Sequence, residues 1–289
     1  MRVFICEYVT SGGVRDKPLP ETMLPEGTLI RDALVTDLEE LPGVSTILAH
    51  DDRLPPPTED SVPVRKGADP WITWSGLAQE ADVVWPIGPE TGGVFARMVR
   101  LMKESADRLI APTPAAIDLA TSKFRTAQIL ASHDIPHVPT YPLDNVPASL
   151  KGDLITKPDD GAGVENTRAW PGREALPRSG RLVVQPFIHG MPASLTVLVR
   201  PDGVTLLSAN QLHISHLVGV ITPTGVTVGG VPDEEGALSA LAQRVVAAFP
   251  GLSGIVGIDL ILAKDGPVVV EVNPRSEEHT SELQSPYVI

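Results

Sequence analysis

The side chains best suited to chemistry in this chain are two lysines, two carboxylates and one amide. Asp259 sits in an apolar run at 255–262, Glu271-Val272-Asn273 closes a second run from 267, and Lys264-Asp265-Gly266 separates the two. Runs of that length around such a turn predict a β-hairpin. Residues two apart on a strand share a face, so Glu271 and Asn273 can serve one ligand. Carboxylate and amide oxygens gathered at a hairpin suit a hard cation, Mg²⁺ or Mn²⁺, which also takes phosphate oxygens. Two ordinary strands with polar ends are the alternative.

Upstream, residues 153–158 predict a short strand carrying Lys157, followed at once by Asp159-Asp160-Gly161-Ala162-Gly163. A lysine supplies a point charge for phosphate oxygens, and Gly161 and Gly163 would let backbone N–H groups approach them. The loop matches neither the Walker nor the Rossmann pattern, and an ordinary turn remains open. Lys123 opens a helix carrying Phe124, Ala127, Ile129 and Leu130. Ser11-Gly12-Gly13 follows a strand at 2–9, and Glu90 lies in the Pro- and Gly-rich stretch 86–93 after a strand at 81–85. Either loop could meet a ligand beyond the carboxyl ends of an open sheet, although a plain turn and a helix cap explain them equally well. His213 and His216 invite a zinc reading, but no further His or Cys stands near them to complete such a site.

These residues need elements to hold them. Strands at 2–9, 44–49 and 81–85 alternate with helices at 24–41 and 71–80, which predicts an open α/β domain. Pro112 and Pro114 mark a boundary. Beyond it the pattern predicts helices at 115–132, broken near 120–123, then strands at 181–190, 193–199 and 205–210. A flexible loop at 225–230, an amphipathic helix at 233–248 and the hairpin complete the series. The fold class expected is α/β plus α+β.

The chain has 289 residues, 42% of them hydrophobic, and a formal net charge of -13. That charge opposes nucleic acid or an anionic membrane as the main partner, because either would be repelled over most of the surface. A phosphate must therefore meet locally placed lysine or arginine. The single cysteine, Cys6, cannot form an internal disulfide, and no apolar stretch is long enough for a signal or spanning segment, so the cytoplasm is expected.

Taken in order, Lys123, Lys157 with its glycine loop, the strand at 185–190, Asp259 and Glu271-x-Asn273 resemble the ATP-grasp superfamily over residues 113–275. The resemblance implies an ATP-grasp fold behind an N-terminal open α/β pre-ATP-grasp domain at 1–112, with lobes at 113–190 and 191–275. It implies that Lys123 and Lys157 contact ATP phosphates, that Gln185, Pro186, Phe187 and Ile188 form the adenine hinge, and that Asp259, Glu271 and Asn273 hold Mg²⁺. Lys157 and Arg275 would serve the transfer itself, with Arg275 against the transferred phosphate. The family's ribose-binding acid has no counterpart in Gly190-Met191-Pro192-Ala193-Ser194.

The implied reaction is ATP-dependent activation of a carboxylate as an acylphosphate and its capture by an amine. The segments 4–13 and 89–93 further resemble a branch of that family, in methanofuran biosynthesis, that joins the side-chain carboxylate of glutamate to tyramine. Ser11, Gly12, Gly13 and Glu90 would then meet substrate. The partners expected are small-molecule amino acid and amine substrates, with homodimerisation left open. A non-catalytic ATP-binding module and a ligase for another acceptor are the other readings. Residues 275–285 resemble the in-frame translation of a sequencing-library adapter, so 276–289 is expected to be a non-native tail, with native sequence ending at Pro274 or Arg275.

Overall fold

The computed structural model describes residues 1–106, 108–160, 167–217 and 219–275, the His216 side chain excepted. Gly161 and Gly163 lie outside the described residues, as does the tail. The chain forms two compact units: Met1–Pro89 and Gly93–Pro114 together with Arg275, and Glu90–Gly92 with Ala115–Pro274.

The first unit is a parallel sheet of β1 (Arg2–Glu7), β2 (Ser45–Asp51), β3 (Val62–Val64) and β4 (Val83–Ile87), in the order β3-β2-β1-β4. β1 is apolar at successive positions because both of its faces are covered, as parallel sheets require. Val3 and Ile5 pack with Ile30 and Leu34 of α1 (Met23–Glu39). Phe4 and Cys6 pack on the other side with Trp74 of α2 (Pro70–Glu80) and with Met98 and Met102 of α3 (Val94–Ser105). Asp69 caps α2 by accepting from the Trp71 N–H, and Pro70 stands in the first turn, where its missing donor costs nothing. The predicted strand at 2–9 stops at Glu7, because the chain then coils through a turn at Val9–Gly13.

Glu7 explains that turn. Its carboxylate accepts from the Val9 N–H at 3.1 Å, the Thr10 N–H at 2.7 Å and the Thr10 hydroxyl at 2.7 Å. Burial pushes its pKa up, and the three hydrogen bonds and the nearby Arg31 charge only partly oppose that rise. The opposite wall is α1, whose Gly27 approaches so closely that a Cβ would stand 2.6 Å from Glu7 Cδ.

The second unit carries a nine-stranded sheet in the order β13-β12-β9-β10-β11-β7-β6-β8-β5. Its strands are β5 (Tyr141–Pro142), β6 (Leu154–Pro158), β7 (Arg168–Trp170), β8 (Leu182–Pro186), β9 (Gly190–Arg200), β10 (Gly203–Leu217), β11 (Val220–Thr227), β12 (Gly254–Ala263) and β13 (Gly266–Asn273). Its helices are α4 (Pro114–Thr121), α5 (Lys123–Ser132) and α6 (Ala237–Ala248), so the predicted break near 120–123 is a real helix boundary. Leu238, Leu241, Ala242 and Val245 of α6 cover the apolar face of β9, β10 and β12.

Two expectations change here. The flexible loop expected at 225–230 is strand as far as Thr227, because β11 pairs along β10 from Leu217↔Val220 to Gln211↔Thr227. Its sequence, with Pro223 and Gly225, hides the pairing, and a register shift at His213/Ile214 accommodates the irregular stretch. The strand expected at 181–190 ends at Pro186, and Gly190 already begins β9.

A matched pair of substitutions checks the packing of α1. Gly27→Ala is expected to cost about 1–3 kcal/mol of unfolding free energy through overpacking against Glu7. Gly76→Ala, at an open position on α2 with nothing within 4 Å, is expected to be neutral or stabilising by roughly 0.5–1 kcal/mol. Urea unfolding of both variants measures the contrast.

Candidate functional site

Three elements of the second unit converge on one carboxylate. β6 carries Lys157 just before its last residue, α5 begins with Lys123, and β13 carries Glu271. Lys157 Nζ donates to Glu271 Oε2 at 3.0 Å, and Lys123 Nζ lies 3.4 Å from the same oxygen. All three residues are less than a tenth exposed. Such charges are tolerated out of water only when paired.

The electrostatics follow from that burial. Burial alone would raise the pKa of Glu271, but the Lys123 and Lys157 ammonium groups outweigh it and hold the carboxyl at about 2, down from 4.5. Burial pushes the Lys157 pKa down and Lys123 pushes it further, while Glu271 pulls it back only in part. Lys123 and Lys157 thus share the Glu271 carboxylate, and the charge of Asp259 also favours the charged form of Lys157.

One residue not singled out by the sequence reading locks the lysines together. Asp159, two positions past Lys157, accepts the Ser122 hydroxyl at 2.8 Å and the Phe124 N–H at 2.9 Å, and its carbonyl accepts the Lys123 N–H at 3.1 Å. Ser122 in turn caps α5 by accepting from the Arg125 N–H at 3.2 Å. The strand bearing one lysine is therefore bonded to the helix start bearing the other. Ser122 at the head of a helical pattern was the available signal, but its partner 37 positions away was not.

The hairpin forms as expected, with Asp259 directly opposite Glu271 and Gly257 opposite Asn273. Directly paired residues share a face, so Asp259, Glu271 and Asn273 point the same way. The Asn273 amide donates to Asp259 Oδ2 at 3.4 Å. Among the described residues no group of three or more His, Cys, Asp or Glu side chains is placed to hold a metal ion, so a cation here would draw on two carboxylates and an amide oxygen. That all-oxygen set fits Mg²⁺, whose remaining positions suit phosphate or water. The zinc reading gains no support: His213 Nε2 is 2.8 Å from the Thr227 hydroxyl at an exposed position.

Gln185 is buried, and its amide donates to the Thr140 hydroxyl at 2.8 Å. Its side chain therefore anchors β8. Pro186 ends the strand, and Phe187 and Ile188 lie in the link to β9, where the Phe187 N–H bonds the Asp153 carbonyl at 2.8 Å and its ring meets His189 edge-on. Ser11, Gly12 and Gly13 belong to the first unit, where the Trp74 indole donates to the Ser11 carbonyl at 2.9 Å and Gly12 adopts φ 90° against Val64. Arg275 also belongs to that unit, 3.7 Å from Glu26 of α1. Glu90 is buried and is grouped with the second unit.

The ion cluster sets a pH dependence. Glu271 has its pKa depressed by folding, so the stability it contributes is present above the ordinary carboxyl range and is lost as pH falls toward about 2. Glu271→Gln is expected to lose about 3 kcal/mol near neutral pH by leaving two buried ammonium groups without a counter-charge. Urea midpoints of the two proteins are expected to converge as the pH is lowered below the ordinary carboxyl range. A constant gap would contradict the assignment.

Comparison with known proteins agrees with this geometry. Residues 120–278 match an ATP-grasp domain, and residues 44–117 match a pre ATP-grasp 3 domain. A tyramine–L-glutamate ligase from Methanocaldococcus jannaschii is 23% identical over 282 residues, covering 94% of this chain and 82% of that protein. A crystal structure of an ATP-grasp superfamily protein from Archaeoglobus fulgidus superposes with a TM-score of 0.76 at 18% identity, over 98% of this chain and 83% of that one. The L-amino acid ligase of Bacillus licheniformis gives 0.65 at 18% identity, over 98% of this chain and 68% of that one. The match over more than half of the sequence, laid on the lysine and carboxylate centre described above, places the chain in the ATP-grasp family, with a pre-ATP-grasp domain in front.

Proposed function

We propose that this protein is an ADP-forming ligase that activates a carboxylate with ATP and joins it to an amine. The observation that carries the reading is the convergence of Lys123 and Lys157 on Glu271, beside Asp259 and Asn273. Two buried lysines side by side are suited to phosphate oxygens. Charge moving between those oxygens during transfer is stabilised by fixed cations without reorganisation.

In the reaction proposed, a carboxylate oxygen of the acid attacks the γ-phosphorus of ATP. The bond from that phosphorus to the bridging β,γ-oxygen breaks, ADP leaves, and an acylphosphate forms. The amine nitrogen then attacks the acyl carbon, the carbon–oxygen bond to phosphate breaks, inorganic phosphate leaves, and the amine loses a proton to solvent. Lys123 and Lys157 hold phosphate oxygens and oppose their charge. Asp259, Glu271 and Asn273 would hold Mg²⁺, which when bound supplies Lewis-acid neutralisation of phosphate charge. Gln185 to Ile188 would seat the adenine at the end of β8, and Arg275 would lie against the transferred phosphate. No side chain is required as a covalent nucleophile.

Glutamate as the acid and tyramine as the amine are the finer reading, with a γ-glutamyl amide as product. The methanogen ligase and the like segments at 4–13 and 89–93 support it, and Ser11, Gly12, Gly13 and Glu90 would then meet substrate.

Release of ADP and phosphate should appear only when an acid is supplied, and amide should accumulate only when an amine is added as well. Lys157→Ala is expected to lower turnover by roughly 100-fold or more, with the circular dichroism spectrum unchanged. Turnover near the wild-type rate in that variant would remove Lys157 from the reaction.

A further inference from the structure

The large sheet of the second unit has two unlike faces. Ala193, Leu195, Val197, Ala209, Val256 and Ile258 face the apolar core with α6. The alternate positions on the same strands carry Ser194, Thr196, Ser208, Asn210 and Asp259. The registers align these in two cross-strand rows, Asn210–Ser194–Asp259–Glu271 and Ser208–Thr196–Gly257–Asn273. The polar face of the metal hairpin therefore continues without a break onto β9 and β10. At about 4.8 Å per strand, Asn210 lies roughly 10 Å from Asp259.

The hydrogen bonds in this patch are incomplete in one sense only. The Asn210 amide donates to Ser194 Oγ at 3.3 Å and to Thr196 Oγ1 at 3.2 Å, and its oxygen accepts the Gly229 N–H at 3.1 Å. Both amide hydrogens and the carbonyl are thereby used, and the group is fixed in orientation. Ser194 and Thr196 act as acceptors in these bonds, so their own hydroxyl hydrogens are left to donate. Ser208 Oγ is buried and has no hydrogen-bond partner among the described residues. Ser194 is 1% exposed, Thr196 4% and Ser208 8%. A buried donor without an acceptor costs about 1–3 kcal/mol. A face that only closed protein against protein would be apolar, as the opposite face of the same strands is.

We infer that Ser194 and Thr196, oriented by Asn210, form with the neighbouring Ser208 a subsite for an oxygen group rich in lone pairs, a carboxylate or an amide carbonyl, on the acid being activated. The inference rests on the ligase reading: the acid's reacting carboxyl lies at the Asp259 and Glu271 end, and its second oxygen group reaches the hydroxyls. The ligand class is an acid of amino-acid size with a carboxylate or carbonyl at each end. Hydroxyl donors, rather than a cation, read the second group, because the Ser194, Thr196, Ser208 and Asn210 positions are all uncharged.

The test is calorimetric titration of the full chain, saturated with Mg²⁺ and a non-hydrolysable ATP analogue. The titrants are L-glutamate, L-aspartate and 2-oxoglutarate, against γ-aminobutyrate and butyrate, which lack the second oxygen group. At least one diacid is expected to bind about 10-fold or more tightly than its mono-acid counterpart, the worth of one hydrogen bond to a charged group. Thr196→Val and Ser208→Ala are each expected to weaken that diacid by about 5–10-fold and to erase the preference. Affinity for the ATP analogue should remain within about twofold, the lysine centre being untouched. Ser208→Ala removes a hydroxyl that has no partner, so its unfolding temperature should not fall, and loss of fold cannot account for the result. Equal binding of diacids and mono-acids, unchanged diacid affinity in both variants, or nucleotide binding with no acid binding would each overturn the subsite. Failure of the ATP analogue itself to bind would overturn the ligase reading, and the subsite with it.

Discussion

Oε2 of Glu271 receives the Lys157 ammonium at 3.0 Å and lies 3.4 Å from that of Lys123, with all three side chains out of water. The carboxylate favours the charged form of the buried Lys157, and it would regain its proton more readily without the lysines. The three residues come from a strand end, a helix start and the last strand of the sheet, 148 positions apart at the widest. Everything that fixes those elements also fixes the centre: the Asp159 bonds to α5, the β12–β13 hairpin, and the packing of α6 behind the sheet.

The same constraint accounts for the character of the surrounding strands. A cluster of two lysines and two carboxylates needs a polar wall, and β9, β10, β12 and β13 supply one on a single face while committing the other to the core. Period-two alternation lets one strand do both. In the first unit the requirement differs, since β1 is covered on both sides and its polar function is confined to its end. There Glu7 shapes the turn that leads to Ser11, and α1 gives up a side chain at Gly27 to let it.

The open α/β unit, the helix break near 120–123 and the β12–β13 hairpin were legible in the sequence because each rests on local pattern, such as alternation or a turn triplet. Lys157 was legible for the same reason, as a strand followed by glycines. β11 was not, since Pro223 and Gly225 imitate a loop and only pairing with β10 makes the segment a strand. The role of Asp159 was hidden too, because a capping bond that spans 37 positions leaves no local trace. The hydroxyl rows were invisible for a related reason: Ser194, Thr196, Ser208 and Asn210 are unremarkable until register sets them side by side.

The central claim is that the Lys123–Lys157–Glu271 cluster is a nucleotide-phosphate centre. Calorimetric titration of ADP with Mg²⁺ into the wild-type chain and into a Lys123→Met/Lys157→Met variant tests it most directly. Saturable binding to the wild type and a loss of about 100-fold or more in the variant are expected, each lost charged contact being worth about 1.5–3 kcal/mol. Equal ADP affinity in the two proteins would contradict it.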